Sequence, residues 1–205
     1  MPRHSTRPRS APTRDLPELD SLTPAQRDRR DRILEAAVEM MTTVDYADIA
    51  VKEVASRSGV ALATLYRYFG SKDQLMAAAL LSWSAGFGAF STRTTDAPTL
   101  DKVKAVFGRA AKAFQRAPTV YGALMHLQAS PDPTVAAAFG TFTGRQMDAF
   151  AASVSALRDD TRDDVLRVMI AVLSEALRGQ QLGTLSHGEV RRRIDRAAEL
   201  LLTDR

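Results

Sequence analysis

Apolar residues recur along this chain at three- and four-residue spacing, and no stretch alternates apolar with polar residues for long enough to make a strand. That period admits helices. Ile33, Leu34, Ala37, Val38 and Met41 set one stripe, and Leu100, Val103, Phe107, Ala110 and Phe114 another. Val165, Leu166, Met169, Val172, Leu173, Ala176 and Leu177 set a third, and Val190, Ile194, Ala197 and Leu201 a fourth. Thr23 with Gln26, Ser71 with Gln74 and Ser186 with Glu189 have the spacing of capping boxes, in which each end satisfies a free backbone N–H of a helix start. Pro24 suits a first helical position, Pro118 breaks a stripe, Asp132-Pro133 opens a helix, and Gly183 stops one. Expected helices therefore run from Pro24 to about 44, over 51–58, 62–69 and 72–92, and from Thr99 to Pro118. Others follow over 119–129, 133–156 and 162–182, with the last after Ser186. The expected fold class is all-α with about nine helices.

Hydrophobic residues make up 45% of the 205, enough for a core. There is no cysteine, which removes disulfides, thiolate metal sites and thiol catalysis. No apolar run approaches the ~20 residues of a membrane span, and the N-terminus lacks a secretory signal's apolar region, so no membrane partner and a cytoplasmic address are expected. The net charge of +4 is spread evenly: residues 1–72 hold 12 Lys and Arg against 10 Asp and Glu. Global charge thus admits a nucleic-acid partner without arguing for one. No His/Asp/Glu cluster has metal spacing, and with His4 in the tail and His187 at a helix start no Ser/His/Asp set can be argued; no phosphate loop is present. The expectation is no enzyme, no catalytic residues, no metal and no cofactor.

Three regions are expected. Residues 1–22, rich in proline and carrying Arg3, Arg7, Arg9 and Arg14, read as a disordered basic tail. Residues 23–71 read as a helix-turn-helix head, and 72–205 as an effector-binding and dimerisation body.

The head's informative stretch is 51–72. Val54 and the small Ala55 face inward on the first short helix, Gly59 suits a left-handed turn, and Val60 plugs it. Leu62, Leu65 and Phe69 fall at i, i+3 and i+7, a buried stripe for the second short helix. Ala61, Ala63, Thr64, Arg67 and Tyr68 are left on its other faces. A short helix, small at its start and polar outside, meets the demands of a major groove. Lys72 adds a point charge where free N–H groups at a helix start already favour phosphate, and the hydroxyls of Tyr66 and Tyr68 are further donors.

These residues resemble the TetR family. GVALATLYRYFGSKDQL, residues 59–75, looks like that family's signature, and the similarity runs from about Gln26 to Leu80. The resemblance implies a three-helix DNA-binding head, a helical regulatory body and a homodimer formed by the last two helices. It implies a repressor that leaves a pseudo-palindromic double-stranded operator when a small ligand binds. Carried over by position, Leu62, Ala63, Thr64 and Tyr66 would touch bases or nearby backbone, and Tyr68 and Lys72 phosphates. Arg67, Ala61 and Lys52 complete the expected DNA-binding set. Two positions depart from the pattern: Ala50-Val51 stands where a capping Ser or Thr is common, and Leu62 where a polar reader is common. Within the family, AQRDRRDRILEAA, TLYRYFGSK and the FQRAP turn at 114–118 are most similar to KstR-type actinobacterial regulators of sterol catabolism. That likeness implies a steroid or an acyl thioester of coenzyme A as effector.

Bulky apolar residues stand among Ala and Gly over 76–157, a pattern that leaves a lined cavity between helices. Expected lining residues are Trp83, Phe87, Phe107, Phe114, Tyr121, Met125, Phe142 and Met147. His126 reads as a hydrogen-bonded core residue, and Arg191, Arg192, Arg193 and Arg196 as a solvated face. The rows of the last two helices nominate Met169, Leu173, Leu177, Ile194 and Leu201 for the dimer interface. A ligand-blind DNA-binding or architectural protein with a solid body is the alternative, and a helical enzyme on a hydrophobic substrate a remote one.

Overall fold

The computed structural model describes residues 22–85 and 97–203. Among these residues are nine α-helices and no strand: α1 (Pro24–Thr43), α2 (Val51–Arg57), α3 (Leu62–Tyr68), α4 (Lys72–Ala85), α5 (Thr99–Arg116), α6 (Pro118–Gln128), α7 (Pro133–Ser153), α8 (Asp159–Gln181) and α9 (His187–Leu202). Residues 1–21 of the expected tail, residues 86–92 of the expected fourth helix and with them Phe87 lie outside the described residues, while Leu22 is buried. Among those described, no helix is long and apolar enough to cross a membrane.

The caps act where the spacing puts them. Thr23 Oγ1 accepts from Gln26 N at 3.4 Å while Gln26 Oε1 accepts from Thr23 N at 2.8 Å. Ser186 and Glu189 close the same box at α9. The Ser71 box forms only by half: Ser71 Oγ accepts from Gln74 N at 3.1 Å, but Gln74 Oε1 turns to Gly70 N at 2.9 Å. Gly59 (φ +66°) and Gly183 (φ +71°) hold the left-handed positions that end α2 and α8, where a β-carbon would cost ~1–2 kcal/mol.

In the head, Ile33, Ala37 and Met41 of α1 close over Val54 and Ala55 of α2 and Leu65 of α3, all buried. Arg30 lies over the ring of buried Phe69, 5.4 Å from its centroid. Helix α4 leaves this head and packs on α1, α6 and α7, so the buried apolar cluster runs without a break from Ile33 to Ala198. In the body, α9 packs on α5 and α8.

Two expectations are corrected. Leu62 is not part of a buried stripe; it is 42% exposed. It is the first residue of α3, and spacing alone cannot register a helix end. Met169, Leu173, Leu177 and Ile194 do not face outward for a partner. All four are buried within the protomer, and Leu201 is half-buried. An apolar row marks a covered face without saying what covers it, and here the protomer's own helices do.

Candidate DNA-reading face and effector cavity

Helix α3 presents Ala61, Leu62, Ala63, Tyr66 and Arg67 outward, with Thr64 and Tyr68 half-buried. Ala61 caps it without a side-chain hydrogen bond. Leu65 and Phe69 anchor the opposite side, so the outer face is rigidly held and edged by small side chains. Tyr68 packs partly on the core. Lys52 is exposed at the start of α2, where Ala50 supplies no side-chain cap. Such a surface offers methyl groups for thymine, hydroxyls for base edges or phosphates, and a guanidinium.

Lys72 is placed differently from expectation. Its ammonium donates to the carbonyls of Tyr46 at 2.6 Å and Ala47 at 3.4 Å, and sits 4.5 Å from the centroid of the Tyr46 ring. It fastens a short 3-10 turn, Tyr46–Asp48, that no periodicity announced. Burial pulls its pKa down.

That turn belongs to a polar junction between head and body. Tyr46 OH donates to Asp73 Oδ1. Ser130 Oγ donates to Asp73 Oδ2 at 2.8 Å, and His126 Nε2 lies 3.6 Å from Oδ1. The Tyr46 and His126 rings stack with centroids 4.0 Å apart. Gln74 Nε2 donates to Asp132 Oδ2 at 2.8 Å, and Asp132 Oδ1 caps α7 by accepting from Thr134 N. Thr119 Oγ1 donates to Met41 O at 2.7 Å. The first turn of α4 is thus tied both to the head's turn and to the start of α7. His126, read from sequence as a core residue, is a half-exposed member of this junction.

Burial pushes the Asp73 carboxyl up, but the hydrogen bonds from Tyr46 and Ser130, with His126 beside it, outweigh this and hold it below the usual 3.8. Burial and Asp73 push the Tyr46 phenol well above its ordinary range. A carboxylate held low stabilises the fold above its ordinary pKa, and that contribution is lost as pH falls through the lowered value. Asp73→Asn is therefore expected to flatten the acid limb of stability. Urea midpoints followed by circular dichroism between about pH 2 and 5 should fall less steeply in the variant than in the parent; equal slopes would contradict the assignment.

The body encloses a cavity of about 230 Å³ among α4, α5, α6, α7 and α8. Trp83, Phe114, Tyr121, Met125, Phe142 and Met147 line it. Phe107 does not: it is fully buried and stacks on Phe150 at 4.3 Å, part of the solid core. Spacing could not separate the two, since Phe107 and Phe114 lie two turns apart on one stripe. Leu173 and Leu177, expected at the interface, help wall the cavity instead. So do Leu124, Phe139 and Ile170, with Gln128, Thr143, Gln146 and Ser174 among its few polar residues. Met125 and Met147 are each about two-fifths exposed and stand at its rim. Tyr121 OH donates to Ser174 O at 2.9 Å, which fixes one wall.

Residues 33–79 match the family model described as bacterial regulatory proteins, tetR family. Over 194 residues the chain is 30% identical to the HTH-type transcriptional repressor KstR of Rhodococcus jostii (strain RHA1), covering 92% of this chain and 90% of that protein. A solved TetR transcriptional regulator from Rhodococcus sp. RHA1 superposes with a TM-score of 0.72 at 27% identity, covering 89% of this chain and 98% of the other. The fold is also that of the regulator FadR from Bacillus subtilis, solved with stearoyl-CoA. That match has a TM-score of 0.66 at 13% identity and covers 84% and 97% of the two chains.

Proposed function

Since the chain belongs to the TetR family of bacterial regulatory proteins and is a DNA-binding transcriptional regulator, we propose that it is a dimeric repressor released from its operator by an apolar small molecule. The observation that carries this reading is one continuous helix, α4, which starts at Lys72 against the head's Tyr46–Asp48 turn and lines the cavity with Trp83. In this reading residues 23–71 grip DNA, and 72–205 hold the effector and the second copy. Two heads set by a two-fold axis read two half-sites of a pseudo-palindrome.

The effector belongs to the steroid or acyl-thioester class. Repressors of the KstR type are relatives over nearly the whole chain. The cavity is small beside typical pockets of ~300–1,000 Å³, so it encloses an apolar moiety and leaves a bulky polar carrier outside, past Met125 and Met147. Such a ligand acts by population shift: it moves the equilibrium only as far as it prefers the state whose heads no longer match successive grooves. A tenfold preference is about 1.4 kcal/mol per site, so two sites weaken operator binding roughly a hundredfold.

Trp83 is the sole tryptophan and makes the test direct. Titration with stearoyl-coenzyme A and with a steroid acyl thioester is expected to change Trp83 emission and to release operator DNA over the same concentration range. Emission that moves while DNA stays bound would defeat the release mechanism. Thioesters that leave both signals unchanged would defeat the effector class.

A further inference from the structure

The apolar cavity ends at Phe114, Tyr121 and Leu177, and the same three side chains form one wall of a second hollow of about 200 Å³. The lining changes character there. Asp45, Thr119, Gln180 and Gln181 supply the rest, with Pro118. Gln180 Oε1 is buried and has no hydrogen-bond partner. A buried acceptor left unpaired loses its hydration without recompense, so most such groups are satisfied. The neighbouring polar groups do not serve it: the Thr119 hydroxyl is given to Met41 O and the Tyr121 hydroxyl to Ser174 O. Asp45, at the end of the segment leaving α1, adds a second acceptor to the same hollow and would repel an anion.

We infer that the two hollows are the two ends of one effector site, and that the ligand carries a hydrogen-bond donor, a hydroxyl or a protonated amine, at the end that reaches Gln180 and Asp45. This rests on the reading that the cavity holds an effector, and it adds what the far end of that effector must be. The helices support a single elongated site. The apolar cavity takes residues 121–128 of α6 with 170–177 of α8, and the polar hollow takes 118–121 with 177–181. The two helices therefore run antiparallel along both. A ligand lying between them has its apolar length against Leu124 and Leu173 and its donor beyond the Phe114–Tyr121 pair, whose rings meet edge to face at 5.9 Å. Its donor end would sit against the exit of α1, so occupancy is felt at the head as well as along α4.

The test compares 1-decanol with its methyl ether, which has the same chain and no donor, by titration of Trp83 emission in the full-length protein. The parent is expected to bind the alcohol about tenfold tighter than the ether. Gln180→Leu, and Gln180→Met as a second variant, should erase that ratio while leaving ether binding unchanged. Decylamine separates the two donors: if Asp45→Asn weakens the amine but not the alcohol, the natural donor is an ammonium, and if decylamine binds no better than the ether it is a hydroxyl. Equal binding of alcohol and ether by the parent, or a ratio that survives both Gln180 variants, overturns the inference. Binding of none of the three probes overturns the effector reading beneath it.

Discussion

Glutamate at Val168 or Leu200 is expected to abolish operator binding while leaving the protomer folded. The inward rows of α8 and α9 are spent on the protomer's own core, with Met169, Leu173, Ala176, Ile194 and Ala198 all buried. Two large apolar side chains remain exposed on these helices among charged ones. Val168 is 43% and Leu200 67% exposed, with Val172 and Ala197 half-buried on the same pair of helices. Arg193 Nη1 meets Glu175 Oε2 at 2.7 Å across that face and holds the two helices in register. Two such faces brought together by a two-fold axis make a four-helix bundle. A glutamate buried there without a partner costs about 3–5 kcal/mol and occurs twice per dimer. Each head grips only a half-site, so operator affinity should fall by roughly a hundredfold or more once the dimer is lost. Sedimentation should show monomers, gel shifts no specific complex, and thermal melts a near-parental protomer. A Val168→Glu protein that is still dimeric and still binds DNA would rule out this face. Leu173→Glu, by contrast, should damage the cavity wall and the protomer itself.

The second large effect is on base discrimination. Thr64→Ala removes a hydroxyl and a methyl from the half-buried flank of the outer face of α3, and should change preference at particular base pairs by ~1–3 kcal/mol. Arg67→Ala should weaken binding to all sequences alike and lower the salt slope by about one. Tyr66 is 38% exposed and neighbours Leu62 one turn away, so Tyr66→Phe separates its hydroxyl from its ring: a loss equal to that of Tyr66→Ala assigns the contact to the hydroxyl. A selection panel in which Thr64→Ala and Arg67→Ala both keep the parent's ranking and affinity would remove α3 from the reading of DNA.

Much of this architecture is legible in residue order. Capping pairs three apart, prolines at first positions and glycines at ends are local signals, and they place the described helix bounds to within a few residues, while the end expected for the fourth helix near 92 lies outside the described residues. The G-V turn and the L-Y-x-x-F spacing mark the head for the same reason, since a helix-turn-helix is built from near neighbours. The failures are those of tertiary context. A period of 3.6 marks Met169 to Leu177 as covered but does not say by what, so a core row reads as an interface. It assigns Leu62 to a stripe that α3 is too short to bury, and it cannot divide one stripe of α5 between solid core at Phe107 and cavity wall at Phe114. The Tyr46–Asp73–His126 junction joins a turn, a helix start and a helix end far apart in the chain, and no spacing rule reaches across them. The orphaned Gln180 carbonyl belongs to the same class, because its lack of a partner is a property of the packed molecule.

Helix α3 is expected to read DNA in a two-fold dimer whose body answers to an apolar ligand. Footprinting of the purified protein on the DNA flanking its own gene, at several salt concentrations and with and without stearoyl-coenzyme A, tests all three parts together. The predicted result is protection of an inverted repeat with half-sites about one helical turn apart, an affinity that falls steeply with salt, and loss of protection when the thioester is added. Protection without sequence preference, unchanged by the thioester, would contradict it and leave a ligand-blind DNA-coating protein in its place.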